Sequence, residues 1–116
     1  MKITILGRIP SKKNSRINTR SGRSFPSKAY SEWHRSASFQ ISPLKNTDVF
    51  KNVGQIEIKF WLPDNRRCDL TNKAESIMDL LVDNGLLEDD CWQITGPVYL
   101  IPMGIDKDHP RVEIEY

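Results

Sequence analysis

The hydrophobic period of this chain switches once, in its middle. In QIEIKFWLP, residues 55–63, the apolar Ile56, Ile58, Phe60 and Leu62 alternate with Glu57, Lys59 and Trp61. A period of two belongs to a strand with one buried face. Residues 64–68 then read as a turn. Beyond it, Leu70, Ala74, Ile77, Met78 and Leu81 fall at i, i+4, i+7, i+8 and i+11, which draws one apolar stripe along a helix. The spacing predicts a helix over residues 69–83, with Asp69 as N-cap and Asn84-Gly85 as its stop. Each of these elements must bury one face, so the chain has to fold as helix on sheet.

The flanking segments extend the pattern. KITILGRI is β-branched and alternating, so it reads as a strand, as do residues around 93–102 and the closing RVEIEY. From Ser27 or Lys28 to about Ser42, Tyr30, Trp33, Ala37 and Ile41 recur at helical spacing, and Pro43 ends the run. The order predicts an α+β fold: a small mixed or antiparallel sheet of about four strands covered by two helices. Four strands are too few to close a barrel. The 116 residues make one domain, 1–116, with one core. We expect Trp33, Trp61 and Trp92 each to pack in that core, the alternative being a face covered by a second copy.

Net charge is only +2, but it is segregated. Residues 1–35 hold nine Lys/Arg against one acid, Glu32, while residues 36–116 carry eight bases and fourteen acids. Most of the early bases lie in a loop at about 9–27, PSKKNSRINTRSGRSFPSK, too polar and too rich in turn formers to build core, with a tight hairpin expected near Ser21-Gly22. Such a segment suits a polyanion; its plain alternative is a solubilising loop. Cys68 and Cys91 lack metal-ligand spacing, and His34 and His109 lie far from both, which argues against zinc and for a reduced compartment. No apolar run approaches the ~20 residues of a membrane span, and the N-terminus lacks a cleavage pattern, so the cytoplasm is the expected location.

The acids are the remaining question. Asp69, Asn72, Glu75, Ser76 and Asp79 are placed on the polar side of the predicted helix, and Glu88, Asp89 and Asp90 follow its glycine stop. On the helix alone, a solvated polar face with acids near its N-terminus explains the pattern. An acid at a rigid strand-to-helix junction, a second acidic group in a segment that a helix-turn-strand could fold back, and a basic loop in the same domain suggest more. Gathered carboxylates repel one another unless a hard cation joins them, and Mg²⁺ takes oxygen ligands of this kind. Carboxylates, Mg²⁺ and a DNA-binding surface together describe a metal-dependent nuclease.

The residues NRRCDLTNKAE, followed by DNGLLEDD, resemble the RusA family of Holliday junction resolvases and related phage and prophage endodeoxyribonucleases. PSKKNS is similar to the basic opening of that family. The resemblance runs from about Ile9 to the last strand and is strongest over residues 64–94. Asp69 matches the first catalytic Asp of the family's helix start, Asn72 the Asn after it, and Asp90 the closing catalytic Asp, with Asp89 its neighbour. Thr71 stands where the best-known members have a second Asp, and Glu75 where they have a Lys needed for cleavage. The chain resembles a D-x-T-N-x-x-E version of the family, in which a carboxylate lost at 71 is regained at 75.

What the resemblance implies is a crossover junction endodeoxyribonuclease, hydrolysing phosphodiesters in four-way DNA during recombination and repair. Asp69, Glu75 and Asp90 would hold Mg²⁺, with Mn²⁺ as a substitute. Lys12, Lys13, Arg16, Arg66 and Arg67 would grip backbone phosphates. Arg66 and Arg67 have an equal alternative as neutralising partners of the acids. Thr71, Asn72, Lys73 and Asp89 are supporting residues, Lys73 as a replacement positive charge. His34 and His109 read as structural. The expected assembly is a homodimer on branched DNA. The alternatives are a nucleic-acid-binding module without catalysis and a small interaction protein with an acidic face.

Overall fold

The structure, a computed structural model, describes residues 1–11, 16–18, 22, 24–47, 49–51 and 53–116, with the backbone alone for 16–18 and 24–26. Its strands are β1 (Lys2–Leu6), β2 (Arg16–Asn18), β3 (Ser24–Pro26), β4 (Ile56–Leu62), β5 (Val98–Ile105) and β6 (Arg111–Glu115). The helices are α1 (Lys28–Gln40), α2 (Leu70–Asp83) and the single turn α3 (Trp92–Thr95), with a 3₁₀ turn at Ser42–Leu44. The main sheet is mixed and open, in the order β1-β6-β4-β5. β6 runs antiparallel to both β1 and β4, while β5 runs parallel to β4. β2 and β3 form a separate antiparallel pair, in keeping with the hairpin expected around Gly22.

The period-two residues do what their spacing demands. Ile3, Ile5, Ile56, Ile58, Phe60, Val112 and Ile114 all point to one face and are buried. α1 brings Tyr30, Trp33, Ala37 and Ile41 to the core, and α2 brings Ala74, Ile77, Met78, Leu80 and Leu81. Ser27 caps α1, its Oγ accepting from the Tyr30 N–H at 3.1 Å. The two helices also meet through a side-chain hydrogen bond, His34 Nε2 to Asp83 Oδ2 at 2.9 Å.

The other face of the sheet is open and charged. Lys2 meets Glu113 at 2.7 Å, Lys59 meets Glu115 at 3.1 Å, and Arg111 reaches both Asp106 (2.9 Å) and Glu113 (3.5 Å). Arg111 also lies 4.1 Å from the Trp61 ring centroid, a cation–π contact. Trp61 therefore belongs to this outer lattice rather than to the core. Only Trp33 of the three tryptophans is buried; Trp92 is 76% exposed.

One strand boundary departs from expectation. Residues 92–95 form a helical turn, so β5 begins at Val98 rather than near Gln93. Gly96 closes that turn with φ +64, and its backbone approaches Gly54 so closely that an added Cβ would lie 2.8 Å from the Gly54 carbonyl oxygen. Pro97 follows at once, so the extended run restarts only beyond it.

α2 ends as its Asn-Gly stop predicts. Asn84 is the C-cap and Gly85 has φ +70. The Leu86 and Leu87 amides both turn back to the Leu81 carbonyl, at 2.9 and 3.3 Å. A Cβ on Gly85 would run into the Asn46 Oδ1 and lie 3.0 Å from the Asn46 Cα, so Gly85→Ala combines a left-handed backbone with a clash. We expect it to lower stability by at least about 1–2 kcal/mol, read as a drop in Tm. An unchanged Tm would refute the close approach.

A second prediction concerns the open face. The Lys2 hydrogen bond and charge hold the Glu113 carboxyl below its ordinary value of 4.5. A depressed folded-state pKa contributes stability above the unfolded value and loses it as pH falls through the folded value. Glu113→Gln should therefore lose less Tm than the parent between about pH 6 and pH 3. Identical acid limbs would show that the pair adds nothing.

Candidate active site

Register brings distant residues to one end of the sheet. Leu6 and Trp61 are both paired with Arg111, and Leu62 is paired with Ile105. The chain thus leaves β1 and β4 at the same end, although 56 residues separate them. β1 runs on into Gly7, Arg8, Ile9 and Pro10, and β4 into the turn at residues 63–69 that feeds α2. Arg8 reaches Asp64 at 3.7 Å across that gap.

The strap at Ile9–Pro10 is fastened to α2. Lys73 Nζ donates to the Ile9 carbonyl at 2.6 Å, and Ser76 Oγ donates to the Pro10 carbonyl at 2.7 Å. Lys73 is 8% exposed and Ser76 is fully buried. This corrects the placing of Ser76 on the solvated polar side of the helix. The reason is backbone satisfaction. Carbonyls leaving a strand need donors, and two polar side chains on the same side of α2 supply them. Burial holds the Lys73 ammonium below the usual lysine range; Cys68 and Asp64 pull it back up, while Arg8 adds to the depression.

Strap, turn and helix start enclose a cleft of about 630 Å³, lined among others by Arg8, Arg67, Cys68, Asp69, Asn72 and Lys73. Asp69 occupies the N-cap position, but its carboxylate makes no capping bond to the helix. It accepts instead from Asn72 Nδ2 at 3.3 Å. The carboxylate is exposed and makes no bond to the helix backbone, beside the positive end of α2.

Of the other expected site residues, none of those described lines this cleft. Arg66 is exposed, its amide donating to Asp64 Oδ1 at 3.1 Å and its Nε 3.7 Å from Asp64 Oδ2. It leans toward Asp64, an acid outside the proposed carboxylate set. Thr71 and Glu75 are exposed on α2 and do not line the cleft. Asp89 and Asp90 are exposed in the segment after the buried Leu86-Leu87 pair, where the Asp90 amide donates to Asp89 Oδ1 at 2.7 Å. Lys12 and Lys13 lie outside the described residues, as does the side chain of Arg16. His109 is exposed in the β5–β6 turn, its amide donating to Asp106 Oδ1 at 3.1 Å.

Among the described residues, no three His, Cys, Asp or Glu side chains come together as a metal-holding group. Asp69, Glu75 and Asp90 carry the hard oxygens that Mg²⁺ takes. As they stand in a single chain, they do not assemble into a site for it. Both cysteines are unpaired. Arg8 and Asp64, which no motif singled out, belong to the neighbourhood of the cleft. Their proximity follows from strand register, which a one-dimensional reading of either segment does not contain.

The family model described as Endodeoxyribonuclease RusA matches residues 7–116, nearly the whole chain, and the protein belongs to that family. Family members in general resolve Holliday junctions and depend on divalent metals. No curated protein matches the chain. Among the described residues, no helix is long and apolar enough to cross a membrane.

The Ser76 hydroxyl supplies the buried donor for Pro10. Ser76→Ala should cost about 1–3 kcal/mol by leaving that carbonyl unsatisfied, measured by denaturant unfolding. A variant as stable as the parent would mean the strap is not fastened there.

Proposed function

We propose that this protein is a Mg²⁺-dependent endodeoxyribonuclease that cuts four-way DNA junctions in the cytoplasm as a homodimer. The observation that carries the reading is the exposed Asp69 carboxylate, free of any capping bond, in the wall of a cleft it shares with Arg8, Arg67 and Lys73, in a chain of the RusA family. Asp69, Glu75 and Asp90 are the proposed catalytic carboxylates, with Asn72 orienting Asp69 through its side-chain hydrogen bond. In the single chain these acids stand apart, so the metal dependence rests on their chemistry and on the family. Arg67 faces the same cleft and suits a DNA phosphate, a contact that neutralises charge without reading sequence. A pseudo-symmetric junction needs two matched cuts, which a twofold dimer provides.

The separation of the acids also favours a second reading, a junction-binding module that does not cut. One assay decides between them. Purified protein is incubated with labelled four-way junction or linear duplex, in Mg²⁺ or EDTA. Paired nicks confined to the junction and dependent on Mg²⁺ support the nuclease. Asp69→Asn and Asp90→Asn should each slow cutting by on the order of 10³-fold, a few kcal/mol of lost transition-state stabilisation, while binding survives. Normal cutting by both variants would remove these residues from the mechanism, and binding without any cutting by the parent would establish the second reading. Glu75→Gln tests its residue separately: the Mg²⁺ titration should move to higher concentration, and an unmoved curve returns Glu75 to the solvated helix face.

A further inference from the structure

A second, smaller hollow adjoins the cleft, and the two share part of their walls. Arg8, Arg67, Cys68 and Lys73 line both. Asp64 lines the smaller hollow and Asp69 the larger. Three cations therefore stand between two acids, one on each side. The cations come from three elements: the β1 exit, the turn after β4, and the second turn of α2. Among the described residues, neither Arg67 nor Lys73 has a carboxylate at ion-pairing distance. Arg8 has one, Asp64, at a loose 3.7 Å, and the same carboxylate oxygen is 3.7 Å from Arg66.

Such an arrangement is under-neutralised. Lys73 has lost water to burial and gained one carbonyl, that of Ile9. Ammonium groups carry three donors, so two remain for an acceptor from the cleft. Guanidinium groups match phosphate oxygens in planar, paired fashion. The Asp64 carboxylate is itself fixed, because its other oxygen accepts the Arg66 amide.

We propose that Arg8, Arg67 and Lys73 form a subsite for one phosphodiester group of the DNA backbone, and that the Asp64 carboxylate keeps Arg8 in place until that phosphate takes it over. The proposal rests on the DNA-binding part of the reading above and adds to it two contacts, Arg8 and Lys73, and a resident competitor. Binding transfers Arg8 from a carboxylate at 3.7 Å to a phosphate held also by Arg67 and Lys73. Asp64 opposes the phosphate by its charge and at the same time spares the free protein a cluster of unpaired cations.

The test is fluorescence anisotropy with labelled four-way junction and duplex in EDTA, across a salt series. Arg8→Gln and Arg67→Gln should each weaken binding by roughly five-fold to ten-fold and lower the slope of log K against log salt by about 0.9, one phosphate contact. They are the probes of choice because Lys73 also holds the strap. Asp64→Asn keeps an acceptor for the Arg66 amide and should tighten binding about three-fold or more by removing the competing charge. In the Arg8→Gln background that gain should largely vanish, since Asp64 then has no Arg8 to release. Parent-like affinity and slope in both arginine variants would overturn the subsite. A gain from Asp64→Asn that persists undiminished without Arg8 would overturn the competitor role. Cutting in Mg²⁺ is scored separately. Failure to cut with these shifts present sinks the nuclease and leaves the subsite, whereas normal cutting with no shifts does the reverse.

Discussion

The parallel pairing of β4 with β5 is the constraint on which the rest of this structure depends. Parallel neighbours cannot be joined by a tight turn, so the chain must cross from one end of the sheet to the other between them. Residues 63–97 make that crossing, and α2 is its main part. α2 therefore lies across the sheet with Ala74, Ile77, Met78 and Leu81 against it. Its N-terminus is committed to the end where β4 finishes. At that end β4 has an antiparallel neighbour on one side and a parallel one on the other. Open sheets tend to leave a crevice where strand connectivity changes direction in this way. The position of Asp69 is thus a consequence of topology before it is a matter of chemistry.

The second constraint is the strap. β1 and β4 end together, so the segment leaving β1 must pass the start of α2. Its carbonyls at Ile9 and Pro10 then have no strand to pair with. A buried carbonyl left alone costs about 1–3 kcal/mol, and a bond from a charged donor returns about 1.5–3. Lys73 and Ser76 satisfy two carbonyls in succession. The cost is shifted to the lysine, whose ammonium is held in a site where charge is disfavoured. Structure and cleft electrostatics are in this way the same feature. The residue that fastens the strap is also a cation facing the place where DNA is proposed to bind.

Most of the fold was legible because its elements are amphipathic in one direction only. β6 buries every second residue and β4 does so as far as Phe60, while the stripes of α1 and α2 went to the core as spaced, with Leu62 and Leu70 half-buried at its edge. What failed to show in the sequence depended on partners far away along the chain. Ser76 reads as a surface residue until Pro10, 66 positions earlier, is laid over it. Trp61 reads as core until Arg111 stacks on it from the open face. The WQIT segment is apolar enough for a strand, and its conversion to a helical turn is tied to the close passage of Gly96 over Gly54. The acids of the candidate site were legible as residues, but their separation was not. Spacing along a chain says nothing of how a loop such as 88–90 is carried back.

Helical geometry sharpens the question of Glu75. Each residue of an α-helix turns by about 100°. Six positions from Asp69 to Glu75 amount to about 240°, which sets them on different sides of α2. Four positions from Asp69 to Lys73 return to within about 40°, and both indeed line the cleft. Glu75 shares a side with Thr71 instead, four positions apart. The exchange of acid between positions 71 and 75 therefore preserves charge on one face of the helix, next to the cleft rather than inside it. A carboxylate at 75 can join Asp69 on a common ligand only where that ligand reaches around the helix start, as a DNA strand or a second copy of the chain would. Within one chain, the neighbour that helical spacing gives Asp69 is a lysine. This makes the cleft better suited to hold a phosphate than to gather acids, and leaves the proposed metal site to be completed by the proposed DNA strand or second copy.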